Sequence, residues 1–435
     1  MFRIDARNER NNRFRALSTV LVVLVLLVAS APVWGTTTGA DRAGHQQATV
    51  IDSCTTIDKP GTYRLTESIE NSTADICIEI RAIDVHFDGG GHTVDGNISR
   101  QEMLDALRGP PPETGIGVGV HPDGSALLLN VTISNVTVTD WFRGIGARET
   151  SGVVVRDVTA TATGAGVDLV SAPGSTVVNA TTSGNVLVGV LASGSSGSTI
   201  RDVTASANGF LGVHVVDSFD SSIRRVAAND NGFSGIDLRN SSQSTVRTVT
   251  ATGNGFRGLG VVDEPVGNVV ENVTVADGNF NRNGYSGIVV FLATNSTFSN
   301  VSVVGTTGTL PPGSRSPGRP PAGIHIEVGS GNTFADVDAR HQAAWAYHSE
   351  MGATNTVEEL RTDAGVVSFE ARDVALGPTT TLPPDADNAT TATPIIEGVT
   401  VTNTSADSFI DLEIAWESVK SENQSANETA GGESL

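Results

Sequence analysis

Apolar residues along this chain follow a short pattern that keeps returning. Val155-Arg-Asp-Val158, Val177-Val-Asn-Ala180, Ile200-Arg-Asp-Val203, Ile223-Arg-Arg-Val226, Val246-Arg-Thr-Val249 and Val270-Glu-Asn-Val273 begin 22, 23, 23, 23 and 24 residues apart. Weaker copies extend the series to Ile133-Ser-Asn-Val136, Phe298-Ser-Asn-Val301 and Phe334-Ala-Asp-Val337. A second segment follows in each unit, as in Gly166-Val-Asp-Leu169, Gly212-Val-His-Val215, Gly235-Ile-Asp-Leu238 and Gly287-Ile-Val-Val290. Alternation at period two predicts strands, and no helical period competes with it.

A unit of roughly 23 residues cannot bury its apolar side alone, so it must stack on copies of itself. If each unit makes one coil and every strand pairs in parallel with the next, the rise is about 4.8 Å per coil and only two ends stay open. The prediction is an all-β, right-handed parallel β-helix of about ten coils over residues 83–376. A leucine-rich horseshoe has a similar period but needs a Leu-x-x-Leu-x-Leu repeat, which is absent. Asn208-Gly-Phe210, Asn231-Gly-Phe233, Asn254-Gly-Phe256 and Asn283-Gly-Tyr285 recur in phase. The asparagines suit left-handed turns and amide stacking along the axis. The aromatics are expected inside the coil as core packing; on the outside they would form a strip suited to stacking on sugars.

Composition fits this picture and narrows the partners. Glycine supplies 48 of 435 residues while charged residues are only 17%, unlike an ordinary helical enzyme. A net charge of −21 excludes a nucleic-acid partner, which needs clustered cations. Lys59 and Lys420 are the only lysines, and an acidic, lysine-poor chain is what strong brine selects.

The first 34 residues read as a secretory signal peptide: arginines from Arg3 to Arg15, an apolar run from Leu17 to Val28, then Ala29-Ser30-Ala31. The expected location is extracellular, at the cell surface, with membrane contact only through an uncleaved signal anchor. In an exported chain Cys54 and Cys77 read as a disulfide within an N-terminal cap over residues 48–82. Thirteen Asn-X-Ser/Thr sequons, Asn130, Asn179 and Asn240 among them, mark a surface that glycosylation could reach. At the other end, a Pro/Thr-rich linker over 377–394 precedes a β segment over 395–416 and an acidic, disordered tail over 417–435.

Cys54, Pro60-Gly-Thr-Tyr-Arg-Leu65, Cys77-Ile-Glu-Ile80 and Val85-His-Phe-Asp-Gly-Gly-Gly-His-Thr-Val-Asp-Gly96, followed by Asn-Val-Thr coils, resemble exported haloarchaeal right-handed parallel β-helix repeat proteins, often grouped as NosD-like. The resemblance spans roughly residues 50–376. It implies carbohydrate binding or processing, help in assembling a copper enzyme, or a structural part of the cell surface. Copper(I) handling calls for soft Cys and Met ligands, and only Met103 and Met351 remain beside the initiator and the two bonded cysteines.

Aligning the glycine-led strands places Gly146, Asp168, Leu191, His214, Asp237, Gly260, Val289 and His325 in one outward column. Val170, Ser193, Val216, Arg239, Val262, Phe291 and Glu327 form the next. His214, Asp237 and Asp168 are therefore the candidate catalytic residues, and Arg239, His325 and Glu327 the candidate ligand-binding ones. An exposed His beside a carboxylate can act as acid or base, and carboxylates on nearby coils suit glycosidic chemistry or calcium. No other cofactor is implied. A solvated polar face is the plainer expectation for the same column. Expansions at Ser99–Thr114, Asn279–Asn283 and Gly305–Pro321 each precede a glycine-led strand and so share one edge, as walls of a groove would. The expected function is an exported β-helix protein that binds polysaccharide or other extracellular partners without catalysis. The rivals are a polysaccharide lyase or glycoside hydrolase acting on an acidic glycan, and a NosD-like accessory protein.

Overall fold

In Val155-Arg-Asp-Val158 two valines three residues apart both face the core, which strict alternation forbids. A left-handed residue between them resolves the conflict: Asp157 has φ 57°, and its equivalents Asn179, Asp202 and Arg225 have 50°, 57° and 50°. Asn and Asp tolerate this region best. The bend turns each coil without breaking the parallel ladder.

The computed structural model describes residues 48–106, 115–121, 130–263, 269–312, 321–349 and 355–362, and the backbone of strands at 366–369, 373–376, 379–382, 393–396, 399–403 and 410–413. The signal peptide and the acidic tail lie outside the described residues. Each coil gives one strand to a first sheet and one to a second, with every neighbour parallel through the body of the stack. The fold is a right-handed parallel β-helix, as the repeat predicts. Core columns run along its axis, such as Val167, Val190, Val213, Ile236, Leu259 and Ile288, all fully buried. Each such side chain contributes about 1.5–3 kcal/mol relative to exposure.

Three sequence assignments need correction. The residue above Val246 is Val275, not Val270, so this coil is 29 residues long; Val270–Glu271 instead joins a small third sheet with Ala293–Thr294. Its six extra residues lie between Val262 and Thr274, whereas Thr250 pairs with Asn279, leaving no expansion at Asn279–Asn283. The buried asparagines are not the left-handed residues. That conformation falls one residue earlier, at Ala207, Asp230, Gly253 and Arg282. Asn208, Asn231 and Asn254 instead each pass backbone N–H and side-chain amide bonds to the next Oδ1 at 2.9–3.1 Å, the series ending on Asn283 Oδ1.

Residues 48–82 belong to the coils themselves. Thr49–Ile51 pairs in parallel with Gly61–Leu65, and Thr55–Ile57 with Ile76–Ile80. The Cys54–Cys77 disulfide links the two second-sheet neighbours, with Cα atoms 4.4 Å apart. At the far end the pairing turns antiparallel. Val399–Asn403 and Ile395–Ile396 pair with Thr356–Arg361, and Ile410–Glu413 pairs with Val366–Phe369. Thr379–Leu382, inside the stretch expected as a linker, is a strand paired with Thr393–Ile396, in keeping with the β preference of threonine.

Candidate functional site

The outer face of the second sheet carries the columns expected from the repeat. Gly146, Asp168, Leu191, His214, Asp237, Gly260, Val289, His325 and His348 are successive partners. Arg148, Val170, Ser193, Val216, Arg239, Val262 and Phe291 form the next column. The expected solvation does not hold: Asp168 and Asp237 are 3% and 1% exposed.

Two arginines absent from the sequence reading cover them. Arg143 opens the strand Arg143–Arg148 and reaches Asp168 with Nε 2.5 Å from Oδ2. Arg257 opens the strand Arg257–Val262 and reaches Asp237 with Nη2 2.6 Å from Oδ1. Each crosses a glycine of its own strand. At Gly260 a β-carbon would meet Asp237 Oδ1 and lie 2.6 Å from Nε and 2.7 Å from Cζ of Arg257. At Gly146 it would be 3.8 Å from Arg143 Cδ. The sequence signal was Arg-Gly-Ile-Gly and Arg-Gly-Leu-Gly, where other coils open with Ala165, Val188, Leu211 or Ser234.

A second arginine completes each unit. Arg148 lies 3.8 Å from Asp168 and Arg239 lies 3.7 Å from Asp237, with side chains 30% and 34% exposed. Two arginines thus converge on each aspartate, in a chain of net charge −21. Arg148 and Arg239 stand four strand spacings apart in one column, about 19 Å. His214 Nε2 is 3.6 Å from Asp237 Oδ2 and has no hydrogen-bond partner. Burial holds its pKa below the ordinary histidine value, outweighing the attraction of Asp237, and Arg239 and Arg257 push the same way. The imidazole is therefore neutral at pH 7.

Asp168 and Asp237 lie three spacings apart, about 14 Å, against the roughly 5–9.5 Å between paired carboxylates of glycosidases. His325 is likewise three strands beyond Asp237, with its ring 5.0 Å from His348. Glu327 follows the end of the strand Ala322–Ile326, its N–H bonded to Val290 O. The structure thus unites His214, Asp237 and Arg239, and separates them from Asp168, His325 and Glu327.

Beside the charged columns runs an aromatic ladder, and it lies outside the coil. Phe210, Phe233, Phe256 and Tyr285 stack with ring centroids 4.7, 4.7 and 5.5 Å apart. Phe210 is 47% exposed, so the expectation of core packing fails. The small residues Ala205, Ala228 and Ala251 already fill the interior at this corner. Rings stacked on one another occupy each other's faces and offer mainly edges to a ligand. Leu187 continues the column toward Gly164 and Phe142, since Phe210 N–H bonds to Leu187 O and Leu187 N–H to Gly164 O.

Two expansions frame this ladder. Arg100–Ala106 is a helix closed by a reciprocal Ser99–Glu102 capping box, and its Met103 and Ala106 border a cavity with Phe142, Gly164 and Leu187. At the other end Pro311 would lie 3.3 Å from a β-carbon on Gly255, and Tyr285 is only 4% exposed. Two of the three expected expansions therefore share one edge.

Residues 117–275 match the family model of a right handed beta helix region. No curated protein sequence matches the chain significantly. Similar solved structures include the A-module of mannuronan C-5 epimerase AlgE4 from Azotobacter vinelandii, 13% identical, covering 68% of this chain and 91% of that one, with a TM-score of 0.47. DFA-IIIase from Arthrobacter chlorophenolicus A6 without its lid is 11% identical over 63% and 70% of the two chains, with a TM-score of 0.44. Dettilon tailspike protein is 12% identical over 81% and 68%, with a TM-score of 0.42. None of these likenesses bears on residue roles here.

Among the described residues no three His, Cys, Asp or Glu side chains converge as a metal site. The carboxylates best placed for calcium are instead held by arginines. Met103 is buried beside the cavity, and Met351 lies outside the described residues.

Proposed function

We propose that this protein binds an acidic polysaccharide along the outer face of its second sheet, outside the cell and without cleaving it. The observation that carries the reading is the pair of Arg–Asp units on one walled face, each setting two arginines on a buried aspartate with one of them partly exposed, in a chain of net charge −21. Each buried aspartate orients its arginines rather than serving as an acid or base. Pairs this buried are screened little by salt, so the units stay formed in brine. The test is affinity electrophoresis of the purified protein in high salt against acidic and neutral polysaccharides, with assays for new chain ends. Retardation by acidic polymers without cleavage is expected; equal retardation by neutral polymers, or by none, overturns the reading.

One observation favours a second reading, a lyase acting on uronate chains. The neutral His214 carries a ring nitrogen without a hydrogen bond 3.6 Å from Asp237, whose other neighbours are Arg239 and Arg257. A neutral base beside cations that quench a substrate carboxylate could remove an adjacent C–H proton. Ultraviolet-absorbing unsaturated products, lost in His214→Ala, would establish it.

A further inference from the structure

At the Gly164 gap in the ladder the outer face sinks into a cavity of about 410 Å³. Met103, Phe142, Leu187, Val188 and Leu191 give it a mainly apolar wall. Besides Arg143, three polar side chains also line it. Asp168 is 3% exposed, and although Oδ2 is taken by Arg143, its Oδ1 is buried without a hydrogen-bond partner. Arg148 stands at the rim with its side chain 30% exposed, and the half-buried Ser193 is the third.

A buried carboxylate oxygen without a donor is costly, so the site lacks one N–H or O–H group. A bare sugar ring would supply donors but would also bury hydroxyls against Phe142 and Leu191 with nothing to bond them. An N-acyl group meets each demand. Its N–H donates to Asp168 Oδ1, its carbonyl accepts from the Ser193 hydroxyl, and its methyl fills the apolar wall. A carboxylate on the same or the next sugar then reaches Arg148.

We propose that this cavity is a subsite for the N-acyl group of an acidic, N-acylated glycan, an inference that rests on the polysaccharide-binding reading. It makes the face selective among polyanions, which charge alone would not.

The test uses Leu187→Phe, because Leu187 stands in the column where the next three coils carry Phe. The larger side chain continues the stack on Phe210 and fills the cavity mouth without a new kind of contact. Calorimetric titration compares hyaluronan oligosaccharides, which are acidic and N-acetylated, with oligogalacturonates of equal length, which are acidic only. Wild-type protein should bind hyaluronan at least tenfold more tightly, and Leu187→Phe should bring it down to the oligogalacturonate level. Equal wild-type affinity for the two overturns the subsite and leaves the polysaccharide reading standing. A preference for hyaluronan that survives Leu187→Phe overturns the subsite as well. Binding of neither ligand removes the polysaccharide reading and the subsite with it.

Discussion

The guanidinium of Arg257 crosses the bare backbone of Gly260 to reach Asp237 on the preceding strand, Nη2 to Oδ1 at 2.6 Å. Arg143 makes the mirrored reach across Gly146 to Asp168 on the following strand. The two glycines differ in clearance, and that difference is testable. Gly260→Ala must displace Arg257 and leave Asp237 to Arg239 and His214, so it should cost about 2–3 kcal/mol, less than the full loss of a buried pair. Gly146→Ala meets nothing closer than Ile116 Cγ2 at 3.4 Å and should stay within about 0.5 kcal/mol of wild type. Urea unfolding of both variants checks this; equal effects would refute the crossing geometry.

The asparagine column is the second place where one atom's loss should be felt. Asn231 accepts from Asn208, donates to Asn254 and is 1% exposed. Asn231→Ala leaves a buried backbone N–H and a neighbouring amide without partners, costing about 2–4 kcal/mol. Asn231→Asp should cost at least as much, since it buries a charge in place of a donor. Thermal unfolding of the two variants gives the comparison.

Much of this fold was legible in the chain because its repeat is short and its strands alternate. The register of His214 against Asp237 follows from counting Gly-Val-x-Val segments. What counting missed has a physical cause. Val270-Glu-Asn-Val273 imitates the repeat but falls in a coil six residues longer than its neighbours, so similarity of letters outran position in the coil. The Phe ladder was assigned to the wrong side because an aromatic after a turn fits either side of a corner. The interior there was already filled by Ala205, Ala228 and Ala251. Arg143 and Arg257 stand at the first strand position, where other coils carry Ala165, Val188, Leu211 or Ser234, and counting the repeat gives that position no role. Only the fold shows that Gly260, three residues after Arg257, opens a path for that long side chain.

Two partly buried histidines give the fold a pH dependence. Burial lowers the pKa of His214, and burial with Arg148 lowers that of His121, both from 6.5. The unfolded chain then takes up protons below about pH 6.5 that the folded chain refuses, so this contribution to stability is fully present above that value and is lost as pH drops below it. His214→Gln should flatten the pH dependence of the melting temperature below pH 6.5. An unchanged slope would mean that the folded imidazole titrates normally.

The Cys54–Cys77 disulfide should act locally. Its loop predicts about 3.4 kcal/mol in the chain-entropy model, and stacked repeats couple mainly to their neighbours. Reduction should therefore raise amide exchange in Thr49–Ile80 while leaving the coils around His214 protected. Uniform loss of protection along the whole stack would contradict nearest-neighbour coupling.

The central claim is that one face, and not overall charge, captures an acidic glycan. Calorimetric titration with oligogalacturonate in high salt should compare Arg148→Ala/Arg239→Ala with Arg224→Ala/Arg247→Ala. The second pair removes equal charge from exposed, adjacent positions on the first sheet. At least a tenfold loss of affinity in the first double variant, with less than twofold in the second, is the predicted result. Equal losses, or a greater loss in the second, would contradict the account.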